Sequence, residues 1–272
     1  MARTEVVHHH RSIGTSMKKL TPMMLVAVLC TGVQAATVPA RYAEGLTRGY
    51  LVLRDTNNKL LAHGDLLQVM KGDEIHKQMV FHFLDGSLYD ERVIFTEKDV
   101  FRLKSYKLTE KGPAFEADTE TMISPGDGRY SRKVKKHGDD EEKVHEGTVD
   151  MPPDTYNGMI ITIVKDFEKG KGATVHFVVF APDAKVIELQ MIPEGEHDVT
   201  VGDLKQKATH YRMHPQLGFW MKLFAKMLGK VPPDLHAWVL IDDVPAFVGF
   251  EGPITSDGPI WRIEVVSPKL AR

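Results

Sequence analysis

Beyond Leu46 the chain alternates short apolar stretches with turn-forming pairs, and within several stretches apolar and polar residues change places at every step. In VIELQM, Ile187, Leu189 and Met191 share one side and Glu188 and Gln190 the other; in WRIEVV, Trp261, Ile263 and Val265 oppose Arg262 and Glu264. A period of two marks a β-strand with one face in a core and one in water. Three other stretches, MVFHFL (79–84), VHFVVF (175–180) and AWVLI (237–241), are apolar on both sides. A sheet built from them needs a second cover, from helices, its own curvature or a ligand. Asp85-Gly86, Asp127-Gly128 and Asp257-Gly258 fall between extended runs, as do Asn57-Asn58 and Gly170-Lys171-Gly172. Such pairs supply the positive-φ positions of tight hairpins, so the prediction is a meander of antiparallel strands.

Two segments carry a helical period instead. After Met151-Pro152-Pro153-Asp154, the residues Tyr156, Met159, Ile160, Ile163, Val164 and Phe167 recur at i, i+3, i+4 and i+7, with Gly170 placed to end a helix. The β-branched run Ile160-Ile161-Thr162-Ile163-Val164 opposes that reading, because such residues favour strands. The second segment, GFWMKLFAKMLGK (218–230), sets Trp220, Leu223, Phe224, Met227 and Leu228 on one side and Lys222, Lys226 and Lys230 on the other. Three readings of it stand: a surface helix docked on the sheet, a lid over an apolar cavity, or a helix lying in a membrane interface with its lysines on anionic head groups. The last two are compatible.

The N-terminal pattern predicts export. From Met17, MKKLTPMMLVAVLCTGVQAA has a positive start (Lys18, Lys19), an apolar run through residues 23–29, and Val33-Gln34-Ala35 as a small-residue cleavage site. The apolar run is well short of the roughly 20 residues a spanning helix needs. Residues 17–35 are therefore expected to be a signal peptide, residues 1–16 an extension from a start codon upstream of the true one, and residues 36–272 a single β-rich domain. His8, His9 and His10 fall in the extension and receive no functional weight.

Charge and cysteine content narrow the chemistry. The chain has 35 basic and 37 acidic residues, a formal charge of −2. Setting aside Arg3, Arg11, Lys18, Lys19 and Glu5, all before position 36, leaves 31 and 36, a balance of −5. Nucleic-acid binding needs a basic surface, so no nucleic-acid partner is expected. The single cysteine, Cys30, lies inside the leader with Leu29 before it, where lipoprotein processing prefers a small residue. The rest of the chain has no thiol for a disulfide, a nucleophile or a cysteine-ligated metal.

No Gly-x-Ser-x-Gly, His-Glu-x-x-His or phosphate-cradling Gly-rich motif occurs. The charged stretch 129–147 reads as an exposed hairpin whose basic arm (Arg129, Arg132, Lys133, Lys135, Lys136) faces an acidic one (Asp139, Asp140, Glu141, Glu142). His210 and His214 share a strand face, and Glu194, Glu196, His197 and Asp198 form the densest set of donor residues, read here as a polar turn. His82 and His176, on apolar strands, read as core histidines with hydrogen-bond partners. No catalytic residue, metal ligand or cofactor is assigned.

The run PPDLHAWVLIDDVPAFVGFEGPITSDGPIWRIEVVSP (232–268), with LDGSLYDERVIF (84–95) and DMPPDTYNGM (150–159), resembles a family of exported bacterial proteins of unknown function. The closing strands also look like periplasmic domains with curved half-barrel sheets, distantly similar to the Lol-type lipoprotein carriers. That resemblance implies no site residues.

The expected fold is mainly β: a single large antiparallel, strongly curved sheet or half-barrel with two short helices. The expected function is an exported, periplasmic or extracellular envelope protein that is non-catalytic and binds a lipid or other hydrophobic ligand through Trp220, Leu223, Phe224, Met227 and Leu228, with a membrane surface as a second partner. Two alternatives stay open. One is a periplasmic hydrolase in which two or three of His82, His176, His210, Asp198 and Glu196 would converge with a nucleophile or metal in one cleft; the other is a structural partner in an envelope complex.

Overall fold

The structure, a computed structural model, describes residues 1–2, 37–180, 183–201, 203–216, 233–241, 244–255 and 258–266. The segment 218–230, with Trp220, Leu223, Phe224, Met227 and Leu228, lies outside the described residues, as does the leader apart from Met1 and Ala2.

Fourteen strands are described: β1 (Thr47–Asp55), β2 (Leu60–Lys71), β3 (Glu74–Phe83), β4 (Leu88–Thr96), β5 (Arg102–Lys111), β6 (Ala117–Ser124), β7 (Arg129–Lys136), β8 (Lys143–Thr148), β9 (Ala173–Phe180), β10 (Ala184–Val201), β11 (Leu204–Gln216), β12 (Leu235–Leu240), β13 (Ala246–Pro253) and β14 (Ile260–Val266). All belong to one antiparallel sheet in the order β8-β7-β6-β5-β4-β3-β2-β1-β14-β13-β12-β11-β10-β9. Apart from β8 and β9, each neighbour in chain order is a neighbour in space, and a single ladder, Tyr50↔Val266 to Asp55↔Trp261, joins the first strand to the last. The fold is thus the mainly β, single-sheet class that the alternation predicts.

Inward positions on the strands supply the core, and small residues among them let the sheet curl. Ala62 and Gly64 stand on the inner face of β2, and a Cβ on Gly64 would lie 2.5 Å from the Phe81 ring. A glycine inside a strand often marks this kind of close approach at a bend. Phe83 of β3 meets Trp261 of β14 at 5.4 Å across the same interior, although two strands separate them in the sheet.

The sheet curls without closing. Its edges, β8 and β9, share no ladder, but side chains span the gap: Arg132 of β7 sits over the Phe180 ring of β9 at 5.5 Å, Tyr130 of β7 packs edge-on against Phe180, and His145 of β8 lies 3.5 Å from Asp183 between β9 and β10. A free edge exposes a row of unpaired amides, and the chain leaving β8 covers this one. Tyr156 donates its N–H to the His176 carbonyl and His176 donates to the Asp154 carbonyl, both at 3.0 Å. The Asn157 side chain continues the pairing: its Nδ2 donates to the Val178 carbonyl and its Oδ1 accepts the Val178 N–H, both at 2.8 Å.

This edge-covering strap corrects the first helix prediction. The helix is a single turn, α1 (Ile160–Ile163), followed by a 3-10 turn at Val164–Asp166. Tyr156 is tied to β9 through its backbone N–H and Asn157 through its side chain, and Gly158 has φ +69, so a helix cannot run through them. Five of the six predicted positions, Tyr156, Met159, Ile163, Val164 and Phe167, are nonetheless buried; Ile160 is only half-buried, while Ile161 and Thr162, off the predicted stripe, are buried as well. The Tyr156 hydroxyl accepts the Val38 N–H at 2.9 Å and donates to the Phe101 carbonyl at 3.1 Å, tying the strap to two further segments.

Two other expectations change. The strand at residues 79–84 is sided after all: Met79, Phe81 and Phe83 point inward, while His82 and Leu84 are exposed. The charged stretch forms the exposed β7–β8 hairpin, but its four acids sit in the connecting loop. Lys133 faces Val144 and Val134 faces Lys143, so the arms do not neutralise each other strand to strand.

Candidate functional site

The curled sheet and α1 enclose a partly open cavity of about 260 Å³. Most of its wall is apolar: Met79, Leu108, Ile161, Phe177, Ile187 and Phe250 represent strands from both halves of the sheet and the helical turn. Pro215 and Pro233, close to either side of segment 218–230, line it as well. If a water-sized group occupies about 30 Å³, the space takes roughly nine such groups, an alkyl chain of similar carbon count or one ring system.

One wall is polar. Lys77 from β3, Tyr89 and Glu91 from β4, Tyr106 and Glu110 from β5 and Thr121 from β6 all point inward and are buried. They sit side by side because the ladders set Lys77 opposite Val93, Glu91 opposite Leu108 and Glu110 opposite Thr119, on the same pleat face. Lys77 Nζ donates to the Gly158 carbonyl at 2.6 Å and lies 4.0 Å from Glu91 Oε2, whose partner oxygen accepts the Tyr89 hydroxyl at 3.2 Å. Thr119 donates to Glu110. Burial lowers the Lys77 ammonium pKa and raises the Glu91 carboxyl, each group partly holding the other charged. Burial, with Glu91 alongside, also pushes the Tyr89 and Tyr106 phenols well above their usual range.

Sequence reasoning missed this wall. Its signal is one charged residue interrupting each inward apolar row: Lys77 between Ile75 and Met79, Glu91 between Tyr89 and Val93, Glu110 after Leu108.

A second hollow, of about 200 Å³, lies against Val38, Arg41, Asp166 and Phe167. Asp166 Oδ1 accepts the N–H groups of Arg41 and Tyr42, while Oδ2 is buried with no hydrogen-bond partner among the described residues. Burial raises this carboxyl to about 6. An acid raised on folding binds its proton more firmly folded than unfolded, so its contribution to stability is largest at low pH and falls as pH climbs from about 4 to about 6. In Asp166→Asn that fall is absent. The stability difference should therefore move in the variant's favour between pH 4 and pH 7, by on the order of 1–2 kcal/mol after allowance for solvent screening. Urea unfolding at both pH values measures it, and a difference that ignores pH contradicts the assignment.

The five residues named for a hydrolase cleft are dispersed over separate partners. His82 is exposed on β3. His176 Nδ1 lies 2.9 Å from Asp154 Oδ2, Glu196 pairs with Lys169 at 2.6 Å and Asp198 pairs with Lys207. His210 belongs to a different group on the outer face of the sheet. There its ring stacks on Trp238 at 4.9 Å and its Nε2 stands 2.9 Å from His236 Nδ1, with Glu194 Oε2 at 3.6 Å from Nδ1. Burial and the neighbouring histidines His236 and His197 lower the His210 pKa. Of the donor set read from sequence, Glu194 and His197 join this group. Glu196 and Asp198 do not, and His214 turns to Asp234 at 2.6 Å.

No protein-family model matches the chain, and no curated protein matches it. Among solved structures it is similar to a beta-barrel-like protein of a domain of unknown function, DUF1849, from Brucella abortus, with 11% sequence identity and a TM-score of 0.41 over 86% of this chain and 98% of that one.

Proposed function

We propose that this is an exported, non-catalytic envelope protein that holds one hydrophobic molecule inside its curled sheet. The observation that carries the reading is the cavity, walled by apolar side chains over most of its surface and by Lys77, Glu91, Glu110, Tyr89 and Tyr106 over the rest. Binding pockets commonly pair an apolar lining with a few polar groups that orient the ligand. A single acyl chain, or a ring system of that size, with one polar end toward the Lys77 wall suits both chemistry and volume. A bulky two-chain lipid does not suit it.

The leader pattern of residues 17–35 supports export to the periplasm or beyond, in keeping with the carrier-like resemblance of the closing strands. Trp220, Leu223, Phe224, Met227 and Leu228 are proposed contributors to ligand capture or to contact with a membrane surface, on their sequence pattern and the position of their flanks at the cavity wall.

The test is native mass spectrometry with solvent extraction of protein purified from a bacterial periplasm without detergent. One apolar molecule per chain is expected, and it should be lost in Ile187→Trp, which fills the cavity, provided circular dichroism shows the variant folded. Loss in the double variant W220S/F224S would add the 218–230 segment to the binding apparatus. A clean apo mass, together with no uptake of a fluorescent fatty acid, would sink the proposal.

A further inference from the structure

We infer that Glu194, His210 and His236 form a binding site for a divalent transition-metal ion, zinc foremost, on the outer face of the sheet where β10, β11 and β12 run side by side. One donor atom from each of the three lies within 4.8 Å of the other two. Zinc bound tetrahedrally by nitrogen and oxygen at about 2.0–2.1 Å holds its ligand atoms roughly 3.3 Å apart. His210 Nε2 stands 2.9 Å from His236 Nδ1, within half an ångström of that spacing, while Glu194 Oε2 lies 3.6 Å from the other ring nitrogen, Nδ1, so the carboxylate swings toward Nε2 to complete the set. Two imidazoles and a carboxylate form a donor set that suits zinc and its neighbours better than calcium or magnesium, which take oxygen.

The backbone is shaped to bring the three together. Between Pro193 and Glu196 the β10–β11 register slips by one residue, and Gly195 takes φ +106 there. Such bulges re-aim a side chain, and this one turns Glu194 toward His210. Arg212 holds Glu194 Oε1 and leaves Oε2 facing the histidine; Asp234, 3.2 Å from Arg212 on its other side, offsets the guanidinium charge. Trp238 stacks on His210 with ring planes 8° apart, which fixes the imidazole. Groups that orient ligands in this way are a regular part of metal sites. His197, its ring 4.7 Å from that of His210 and its Nδ1 accepting from Trp238 at 3.4 Å, stands beside the fourth position, open otherwise to water.

Folding alone gives no reason for the arrangement. An outward face is ordinarily served by lysine, glutamate or arginine, as at Arg212 on the same face of the same strand. Two imidazoles 2.9 Å apart can share only one proton between their facing nitrogens, and charging both would set like charges in contact. An ion in place of that proton satisfies both nitrogens and the carboxylate.

The experiment uses the full chain with His8, His9 and His10 changed to alanine and with no histidine tag, titrated with zinc by calorimetry and with cobalt by visible absorption. One ion per chain is expected, with a dissociation constant of about 1 µM or tighter and cobalt bands of tetrahedral intensity. His236→Ala should weaken binding at least ~30-fold, and the conservative Glu194→Gln at least ~10-fold, while His214→Ala, next to the cluster but turned to Asp234, should leave it unchanged. If His236→Ala fails to fold, the comparison of Glu194→Gln with His214→Ala still decides. Absence of saturable binding below about 100 µM, several weak ions per chain, or equal effects of Glu194→Gln and His214→Ala would overturn the assignment.

Discussion

Gly158→Ala should destabilise the protein by about 3 kcal/mol, the sum of two separate penalties. Gly158 has φ +69, where an L side chain costs roughly 1–2 kcal/mol. Its Cβ would also lie 2.6 Å from Val93 Cγ2 and 2.9 Å from Tyr106 Cε2, both in the core, and overpacking of that kind typically costs about 1–3 kcal/mol. Gly86→Ala separates the two. Gly86 has φ +89 in the β3–β4 turn with nothing within 4 Å of an added Cβ, so it should carry the backbone penalty alone. Urea unfolding of both variants measures the difference, and equal losses would mean that the packing around Gly158 yields freely.

Lys77→Met should cost about 3 kcal/mol as well, for an electrostatic reason. The side chain is 2 % exposed, and its replacement strands two groups: the Gly158 carbonyl it serves at 2.6 Å and the Glu91 carboxylate 4.0 Å away. Breaking a buried pair by removing one partner typically costs about 3–5 kcal/mol, because the remaining charge is uncompensated. Glu91 then holds its proton more firmly still, and a carboxyl raised on folding loses stability as pH rises above its unfolded value. The loss should therefore be greater at pH 8 than at pH 5. The double variant K77M/E91Q should recover part of it, since replacing both members of such a pair is far cheaper than breaking it. A single variant as stable as the parent, with no change across pH, would mean that the Lys77–Glu91 contact carries no weight in the folded state.

The architecture was legible because a period of two and Asp-Gly turns are local. VIELQM and WRIEVV are sided largely as read, with Ile187, Leu189, Met191, Trp261 and Ile263 inside. The polar wall was not legible: Lys77, Glu91 and Glu110 are each one charge in an apolar row, and only the register of three ladders makes them a group. The outer histidine group escaped for a similar reason. His210 and His214 do share a face, but the companion of His210 is His236, twenty-six residues away and one strand over. The helix at 156–167 was over-read because its apolar spacing was real, while the pairing of Tyr156 and Asn157 with β9 is tertiary. The apolar residues of 218–230 remain a sequence-level proposal whose flanks, Pro215 and Pro233, border the cavity.

The order of the sheet also sets a timetable for folding. Strands β1 to β8 form one chain of hairpins and β9 to β14 another, and each can pair locally as soon as it is made. A single ladder, Tyr50↔Val266 to Asp55↔Trp261, welds the two, and its partners lie more than 200 residues apart along the chain. Closing so long a loop is slow relative to hairpin formation, and the ladder cannot exist until the C-terminal strand has emerged. Until then Leu51 and Leu53 of β1 stand on an unpaired edge. During synthesis that edge therefore stays open until β14 has been made, and β14 is the strand that seals it.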